Sequence, residues 1–279
     1  MRSRVRTVGW LVVVAAVFLV VLYPLYQILI LSLKPLEEIT GYIQEVESIR
    51  VRFAPTYGWA RFFSWEQYRS VFANAEFFRA YRYTFLYVGA VTVFQFPFAL
   101  CLGYVFAKSK SRVLGVLFYF FVGVMVLPFH VTLVPMFEIL QWTGIFDTPW
   151  AIILPGIFSP LGVFLFRQFI SQVPDEVLEA ARVDGAGVLR LLWSMVLPMI
   201  PEGVGLFVLL TVSLQWGEIE PAQAFLHDAD LHPMSVFLHR EMERSSTGIF
   251  APSVLYVLPM LVVYGLYNGG KVLTFKRNL

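Results

Sequence analysis

The sequence predicts an all-α membrane protein with six transmembrane helices. Hydrophobic residues make up 58% of the 279 residues and charged residues 14%, whereas about 25% of a typical soluble domain is charged. Six runs are nearly free of charge, and a helix needs about 20 apolar residues to span the hydrocarbon core. The predicted spans cover roughly residues 8–33, 83–107, 113–137, 148–167, 195–217 and 247–270.

The first predicted span follows Arg2, Arg4 and Arg6, which is also the arrangement of a secretory signal peptide. The apolar region of such a peptide has about 7 to 15 residues, and the charge-free run at 7–33 is much longer. We therefore expect a retained first helix. Cys101 is the single cysteine of the sequence, so the composition excludes a disulfide framework.

The distribution of lysine and arginine predicts the orientation in the membrane. With six spans, 12 of the 21 basic residues fall on one side, in the segments 1–6, 108–112, 167–190 and 271–279. Because basic residues are enriched in cytoplasmic segments, both termini are expected in the cytoplasm. The polar segment 168–194 then becomes a cytoplasmic loop, and 34–82 becomes a large outer loop.

The outer loop is expected to contain a short amphipathic helix. Trp65, Tyr68, Val71 and Phe72 recur at spacings of three and four residues, which is typical of one helix face. This helix is expected to lie at the membrane surface and to pack on the ends of the spans. Contact with a partner protein is the alternative.

The cytoplasmic loop is predicted to form a helix–turn–helix along the membrane surface. Ser171 and Pro174, followed by two acids, are typical of the start of a helix that runs through about Arg182. Gly185 is typical of a helix end, because glycine readily adopts the left-handed conformation. A second helix is expected to begin near Val188.

The first helix of this loop combines small and charged residues. Ala180 and Ala181 offer a slim face that the backbone of another protein could approach, and Glu179 could pair with a basic residue opposite. One interpretation is a docking site for a partner protein. The other is a solvated loop that only joins two spans, and the residue types alone leave both open.

The spacing of these residues resembles the EAA loop of ABC importer permeases. In that family the triplet is followed by three residues, a glycine, nine residues and then Ile-x-Leu-Pro. Here Glu179, Ala180 and Ala181 are followed by three residues, Gly185, nine residues and the sequence MVLP at 195–198. The one departure is methionine where isoleucine is usual. By this resemblance the loop is identified as a docking site for an ATPase subunit.

Further stretches resemble the carbohydrate branch of this family, in particular the permease of the maltose and glycerol-3-phosphate type. They are VPDEVLEAARVDGAG at 173–187, LSLKPLEEI at 31–39, the run 126–155, QWGE at 215–218 and YNGGKV at 267–272. Two positions depart from the family pattern. Tyr83-Thr84 stands where Asn-Ser is frequent, and Pro201-Glu202 stands where a basic residue and proline are common.

The resemblance implies one permease domain over residues 1–279, built as the bundle of type I ABC importers. Such a chain forms half of a translocation pathway, here for a sugar or oligosaccharide, with a second permease, two ATP-binding subunits and an extracytoplasmic substrate-binding protein. ATP and magnesium would be bound by the ATPase subunits, and this chain would hold no cofactor, metal site or catalytic residue. The residues implied in coupling to the ATPase are Glu179, Ala180, Ala181, Asp184, Gly185, Leu197 and Pro198.

The resemblance also implies a multi-pass protein of a bacterial or archaeal inner membrane. It would contact lipid, and the net charge of +2 gives no indication of nucleic-acid binding.

A weaker candidate for the substrate pathway consists of His130 together with Trp216 and Glu218 of the QWGE motif. Prolines at 128 and 135 predict a kink near His130, whose ring could bind sugar hydroxyls in the opened cavity. Alternatively, the ring bonds a carbonyl that the kink frees. Glu202 is expected at the cytoplasmic interface, where a charge costs little, with a functional role inside the membrane as the alternative.

Two other functions stay open at this point. An importer of the same class for a non-sugar solute, such as glycerol phosphate, a peptide or an amino acid, would share the EAA loop. A stand-alone secondary transporter would need no docking loop and would require ion-coupling acids in its spans, where only Glu202 comes near. The sequence contains no Gly-rich phosphate-binding loop, so the chain is not expected to hydrolyse ATP alone.

Overall fold

The computed structural model describes residues 2–48, 63–244 and 248–277, and every regular element in these ranges is helical. The predicted all-α fold class is therefore confirmed. The α-helices are α1 (Arg2–Ser32), α2 (Leu36–Ser48), α3 (Glu66–Ala73), α4 (Ala75–Lys108), α5 (Arg112–Val124), α6 (Phe129–Trp142), α7 (Trp150–Ile157), α8 (Pro160–Ile170), α9 (Asp175–Val183), α10 (Val188–Leu191), α11 (Leu197–Met199), α12 (Pro201–Gly217), α13 (Glu220–Phe225), α14 (Met234–Arg244) and α15 (Phe250–Arg277). A π-helix at Leu192–Val196 joins α10 to α11, and a 3₁₀ turn at Ala229–Leu231 precedes α14.

Several of these helices are long and apolar enough to cross a membrane. Within the described ranges, four stretches qualify directly: Trp10–Ser32, Ala75–Lys108, Trp150–Ile170 and Phe250–Gly269. Two further helix pairs qualify together but are sharply bent, α5 with α6 by 102° and the α10–α11 segment with α12 by 91°. The number of spans is therefore four, or up to six when each bent pair is counted as one.

The two bends are sharper than predicted, since a proline kink was expected near His130 in the span 113–137 and no bend was expected in the span 195–217. In both cases a proline stands at the break: Pro128 immediately precedes α6, and Pro201 begins α12. Proline lacks an amide hydrogen and disfavours the helical conformation in the residue before it. Ile200 accordingly leaves the helical region, with φ −123° and ψ 44°. Pro135, which was also expected to kink the chain, lies inside α6 without ending it.

The described helices belong to two compact units. One consists of residues 1–78 and 237–259, and the other of residues 79–236 and 260–279. The long helices α4 and α15 each contribute residues to both.

In the first unit, α3 packs against the end of α1, as expected for the predicted amphipathic helix. Val71 of the predicted face is buried, and the hydroxyl of Tyr68 lies 2.9 Å from that of Ser32. Gln67 is 2% exposed, and its amide donates hydrogen bonds to the carbonyls of Leu31 (2.7 Å) and Lys34 (2.9 Å). One of these carbonyls belongs to the last turn of α1, where carbonyls lack the usual partners within the helix, and the other lies in the turn that follows. Trp65 and Phe72, predicted on the packed face, are exposed.

In the second unit, α4 lies unusually close to α7 and α8 at three glycines. A Cβ added to any of these glycines would lie 2.7 to 3.2 Å from the facing side chain, which is too near for normal contact. Residue numbers rise together along both partners, so the helices run parallel. The contacts, called here the glycine contacts, pair Gly156 with Val91, Gly162 with Ala99 and Gly103 with Phe166. At Gly162 the added Cβ would also lie 2.8 Å from Phe207 of α12.

Beyond the glycine contacts, α4, α8, α9, α10, the π-helix and α12 share one hydrophobic core, called here the central cluster. It brings the predicted cytoplasmic loop into contact with two of the long apolar segments. Its buried members are Ala99, Leu100, Tyr104, Val163, Phe166, Ile170, Val173, Leu178, Ala181, Leu191, Leu192, Val196, Ile200 and Phe207.

The glycine contacts lead to a stability prediction. Gly103→Ala is expected to lower the unfolding temperature, because the new methyl group would meet Phe166 and the backbone of Arg167 at 2.7 to 3.0 Å. Overpacking of this kind typically costs about 1 to 3 kcal/mol. Gly115→Ala in α5 is the matched control, since the added Cβ meets nothing within 4 Å. Thermal unfolding of both variants in detergent measures the difference, and equal temperatures would contradict the prediction.

Candidate functional site

The helix α9 occupies the region in which sequence analysis placed the docking site. It begins at Asp175, directly after Pro174, and its first turn carries Asp175 and Glu176. Acidic side chains are favourable there because the start of a helix has a partial positive charge. Ser171 was predicted to be part of this start and is not: it ends α8, where its hydroxyl donates to the carbonyl of Arg167 at 2.7 Å.

The end of α9 has the geometry of a Schellman motif. The amide of Gly185 donates to the carbonyl of Arg182 (3.0 Å), and the amide of Ala186 donates to the carbonyl of Ala181 (2.9 Å). Gly185 has a φ of 83°, so the predicted left-handed glycine is confirmed. The next helix begins at Val188, also as predicted.

The two faces of α9 differ from the expected arrangement. Ala181 was predicted on the slim docking face together with Ala180, but it is 7% exposed and belongs to the central cluster with Leu178. The reason is helical periodicity, since positions three apart share a face. Glu179 and Ala180 are exposed, and Val183 is 88% exposed. The outward face of α9 is therefore small and partly apolar.

Polar contacts hold both ends of α9 to the end of α4. The Nζ atom of Lys108 lies 2.7 Å from the carboxylate of Asp175 and 2.5 Å from the carbonyl oxygen of Val173. At the other end, the guanidinium of Arg182 donates to the hydroxyl of Tyr104 at 2.6 Å. The hydrogen bond from Lys108, followed by its positive charge, lowers the pKa of Asp175.

The remaining residues of the predicted coupling set lie around the two turns that follow α9. Asp184 ends α9 and is exposed. Leu197 is half-buried against the central cluster, whereas Pro198 is exposed in α11, just before the bend into α12. Glu202, in the first turn of α12, is exposed as well.

The pathway candidate His130 lies near an acid just beyond the QWGE motif. The Nδ1 atom of His130 lies 3.9 Å from a carboxylate oxygen of Glu220, which is two residues beyond Glu218. Desolvation and then the negative charge of Glu220 raise the pKa of Glu218, against the effect of a hydrogen bond with Gln215. His130 itself is largely exposed, and its ring does not bond a carbonyl freed by a kink among the described contacts.

The third candidate, Trp216, is a packing residue in this structure. It is 5% exposed, and its ring lies 5.4 Å from that of Phe85 and 6.5 Å from that of Tyr81. These are the separations of packed aromatic rings.

Glu218 lines a small cavity with residues that sequence analysis did not select. Gln215, Thr84 and Tyr87 contribute polar atoms to its wall. The hydroxyl of Thr84 accepts a hydrogen bond from the amide of Met234 at 2.7 Å. Thr84 had been noted only as a departure from the family pattern, and nothing local in the sequence relates it to a residue so far along the chain.

Asp147 fixes the segment that follows α13. It has a φ of 57°, and its carboxylate accepts hydrogen bonds from the amides of His227 (2.7 Å) and Asp228 (2.9 Å). Its own amide donates to the carbonyl of Phe225 at 3.1 Å. The bond from the amide of Asp228, with a further contribution from that of His227, holds the pKa of Asp147 below its usual value.

Comparison with known proteins finds one matching family and several proteins of similar sequence. The family described as "Binding-protein-dependent transport system inner membrane component" matches residues 99–269. The sn-glycerol-3-phosphate transport system permease protein UgpE of Yersinia pestis bv. Antiqua (strain Antiqua) is 30% identical over 185 residues, which cover 64% of this chain and 66% of the relative. The match thus spans just under two thirds of that relative's length.

Two longer matches extend over most of the chain. The arabinooligosaccharides transport system permease protein AraQ of Bacillus subtilis (strain 168) is 22% identical over 250 residues, covering 88% of this chain and 85% of the relative. A chain in the crystal structure of a bacterial ABC transporter involved in the import of the acidic polysaccharide alginate has a TM-score of 0.78 at 20% identity, covering 96% of this chain and 97% of that one.

The raised pKa of Glu218 predicts a pH-dependent effect of the substitution Glu218→Gln. The folded protein keeps a proton on Glu218 in a pH range where the unfolded chain has lost it, so this group lowers stability as the pH rises through that range. Glu218→Gln is therefore expected to unfold at a higher temperature than the parent at about pH 8 and at the same temperature near about pH 4, the ordinary range of a glutamate pKa.

The substitution Asp147→Asn is expected to change the stability of the fold in the opposite direction. A carboxylate with a lowered pKa stabilises the fold above its ordinary pKa, and this contribution is lost in acid. The variant is therefore expected to be less stable than the parent near neutral pH, with a difference that shrinks as the pH falls. Unfolding temperatures in detergent over the pH series measure both differences. A Glu218→Gln effect that is negative or independent of pH would show the prediction to be wrong.

Proposed function

This chain belongs to the family of binding-protein-dependent transport system inner membrane components, and we propose that it is the permease subunit through which an ABC importer moves a sugar or oligosaccharide. The observation that carries the proposal is the family match over residues 99–269, which includes the whole of α9. Sugar is favoured because the long relative AraQ is named for arabinooligosaccharides.

A second candidate substrate is a glycerol phosphate. The relative UgpE is more similar in sequence than AraQ, and its name specifies sn-glycerol-3-phosphate. The UgpE match covers a smaller part of both chains than the AraQ match. We therefore propose a sugar as the first candidate substrate.

The importer is proposed to contain four subunits besides this chain: a second permease, two ATP-binding subunits and a substrate-binding protein. Two ATP-binding subunits supply the energy and hold ATP and magnesium, because this sequence has no phosphate-binding loop of its own. A substrate-binding protein delivers the sugar, as in the related alginate transporter, which has been crystallised in complex with a pentasaccharide-bound periplasmic protein. The second permease supplies the other half of the pathway, and exposed apolar residues such as Val116, Tyr119 and Phe120 of α5 suit contact with it or with lipid.

The docking site for an ATP-binding subunit is proposed on the outward face of α9 and the turn after it. Glu179, Ala180 and Val183 form the exposed part, and Asp184 and Gly185 shape the turn. The partly apolar character of this face supports contact with a protein rather than with water alone. Ala181 and Leu197 support this site by packing on the central cluster, and Pro198 lies in α11, just before the bend into α12.

The chain is proposed to form one permease domain in the inner membrane, with both termini in the cytoplasm. The excess of basic residues in the predicted cytoplasmic segments supports this orientation. The attachment of α9 to the end of α4 that carries Lys108, one of those basic residues, is consistent with the same side.

The substrate is tested by stimulation of ATP hydrolysis. The chain is purified with its natural partner subunits and its binding protein, and ATPase activity is measured with arabino-oligosaccharides, alginate oligosaccharides, maltose and sn-glycerol-3-phosphate. Stimulation by an oligosaccharide is the expected result. Stimulation by glycerol phosphate alone would favour the second candidate, and an ATPase that ignores every binding-protein ligand would contradict an importer.

The docking site is tested by a pair of glycine substitutions. Gly185→Val is expected to reduce recovery of the ATPase subunits by roughly tenfold, because a side chain at a left-handed position costs about 1 to 2 kcal/mol and distorts the turn. Gly187→Val is the matched control, since Gly187 has a φ of −70° and an added Cβ meets nothing within 4 Å. Co-purification on a tag placed on this chain measures recovery, and equal recovery for the two variants would argue against docking here.

A further inference from the structure

The helix α9 has two non-covalent attachments to one neighbouring helix, one at each end. At its start, the side chain of Lys108 is 10% exposed and reaches both the carboxylate of Asp175 and the carbonyl of Val173. At its end, Arg182 donates to the hydroxyl of Tyr104. Lys108 and Tyr104 are four residues apart, so they project from the same face of α4.

The first attachment also restrains the linker between α8 and α9. Val173 lies in the segment 171–174, which is the covalent hinge about which α9 would otherwise pivot relative to α8. Because Lys108 holds a backbone atom of this linker as well as the first residue of α9, rotation about the linker would break two contacts. Between the attachments, Leu178 and Ala181 are packed in the central cluster.

The other part of α4 is attached in a similar manner to a distant segment of the chain. The hydroxyl of Thr84 accepts a hydrogen bond from the amide of Met234 at 2.7 Å, and the hydroxyl of Tyr87 donates to the carbonyl of Leu231 at 2.8 Å. The helix is continuous from Thr84 to Lys108. This stretch spans about 36 Å at 1.5 Å per residue, enough to cross the hydrocarbon core of a membrane.

We propose that Lys108 and Tyr104 are positioning residues that clamp α9 onto α4, so that any displacement of α9 is delivered to α4 and along it to the segment around Leu231–Met234. The inference rests on the proposed function in one respect: the ATP-binding subunit is what displaces α9. Beyond that function, the proposal identifies α4 as the helix that receives the displacement of α9, and Lys108 and Tyr104 as the side chains that transmit it. The glycine contacts with α7 and α8 limit sideways movement of α4, because they leave no space between the helices.

The experiment measures the distance between α9 and α4 by electron paramagnetic resonance of two spin labels. The labels are placed on exposed positions through Glu176→Cys on α9 and Val93→Cys on α4, with Cys101→Ser removing the natural thiol. The complex with its partner subunits, reconstituted in lipid nanodiscs, is measured without nucleotide and after trapping with ATP and vanadate. Clamped helices move together, so the parent is expected to show one narrow distance that is equal in the two states.

The clamp is removed by the double substitution Lys108→Met and Tyr104→Phe. Both replacements keep the buried carbon atoms and delete only the polar ends, so the fold is expected to persist. The double variant should show a broader distance distribution without nucleotide and a shifted distance after trapping. The single variant Lys108→Arg, which keeps Tyr104, should show the parental distribution, since arginine retains the bond to Asp175. Lys110→Ala is the control, and it should show the same distribution as the parent.

Two results would overturn the clamp. One is a parental distance that changes on trapping, which would mean that α9 moves independently of α4. The other is a double variant with the parental distance and width in both states. Failure of the proposed function is a separate outcome, recognised when no ATP-binding subunit co-purifies with the parent chain. In that case the widths without nucleotide still decide whether Lys108 and Tyr104 hold α9.

Discussion

The structure of the second unit depends on the close approach of α4 to α7 and α8. Inside a membrane the hydrophobic effect does not draw helices together, so association relies on van der Waals contact at small residues. The glycine contacts supply this contact at three positions along α4. Once α4 is fixed there, its end at Lys108 meets α9 and its polar residues Thr84 and Tyr87 meet the segment before α14. Loss of the close approach would therefore disturb both attachments of α4.

The boundaries of α9 could be predicted from the sequence because the signals are local. Proline followed by acids starts the helix, and a left-handed glycine ends it. The face on which Ala181 lies could not be predicted in the same way. A single helix of nine residues has two small residues next to each other, and only the position of α4 and α8 determines which of them is covered. The same limit applies to α3, where the buried Gln67 bonds carbonyls at the end of α1 and in the turn after it.

The candidate pathway residues show which long-range relationships a single sequence hides. His130 and Glu220 are ninety positions apart, and their proximity follows from how α6 and α13 pack rather than from any motif. Composition identified the apolar segments correctly, yet it did not predict that two of them are bent by about a right angle. A proline inside an apolar run permits a mild kink or a complete break, and the choice depends on the packing around it. Pro135 lies within α6, whereas Pro128 stands at the break before it.

The helix α1 has a consequence for how the chain is made. From Trp10 to Tyr26 every residue is exposed, whereas the end of α1, around Leu31, packs against α3. A helix satisfies its own backbone hydrogen bonds, which allows it to remain in lipid as an independent segment. Translation produces α1 before α4, and α1 can therefore enter the bilayer while the later helices are still being synthesised. The glycine contacts, in contrast, require both α4 and α8. This part of the chain therefore assembles only after the ribosome has synthesised the residues through α8.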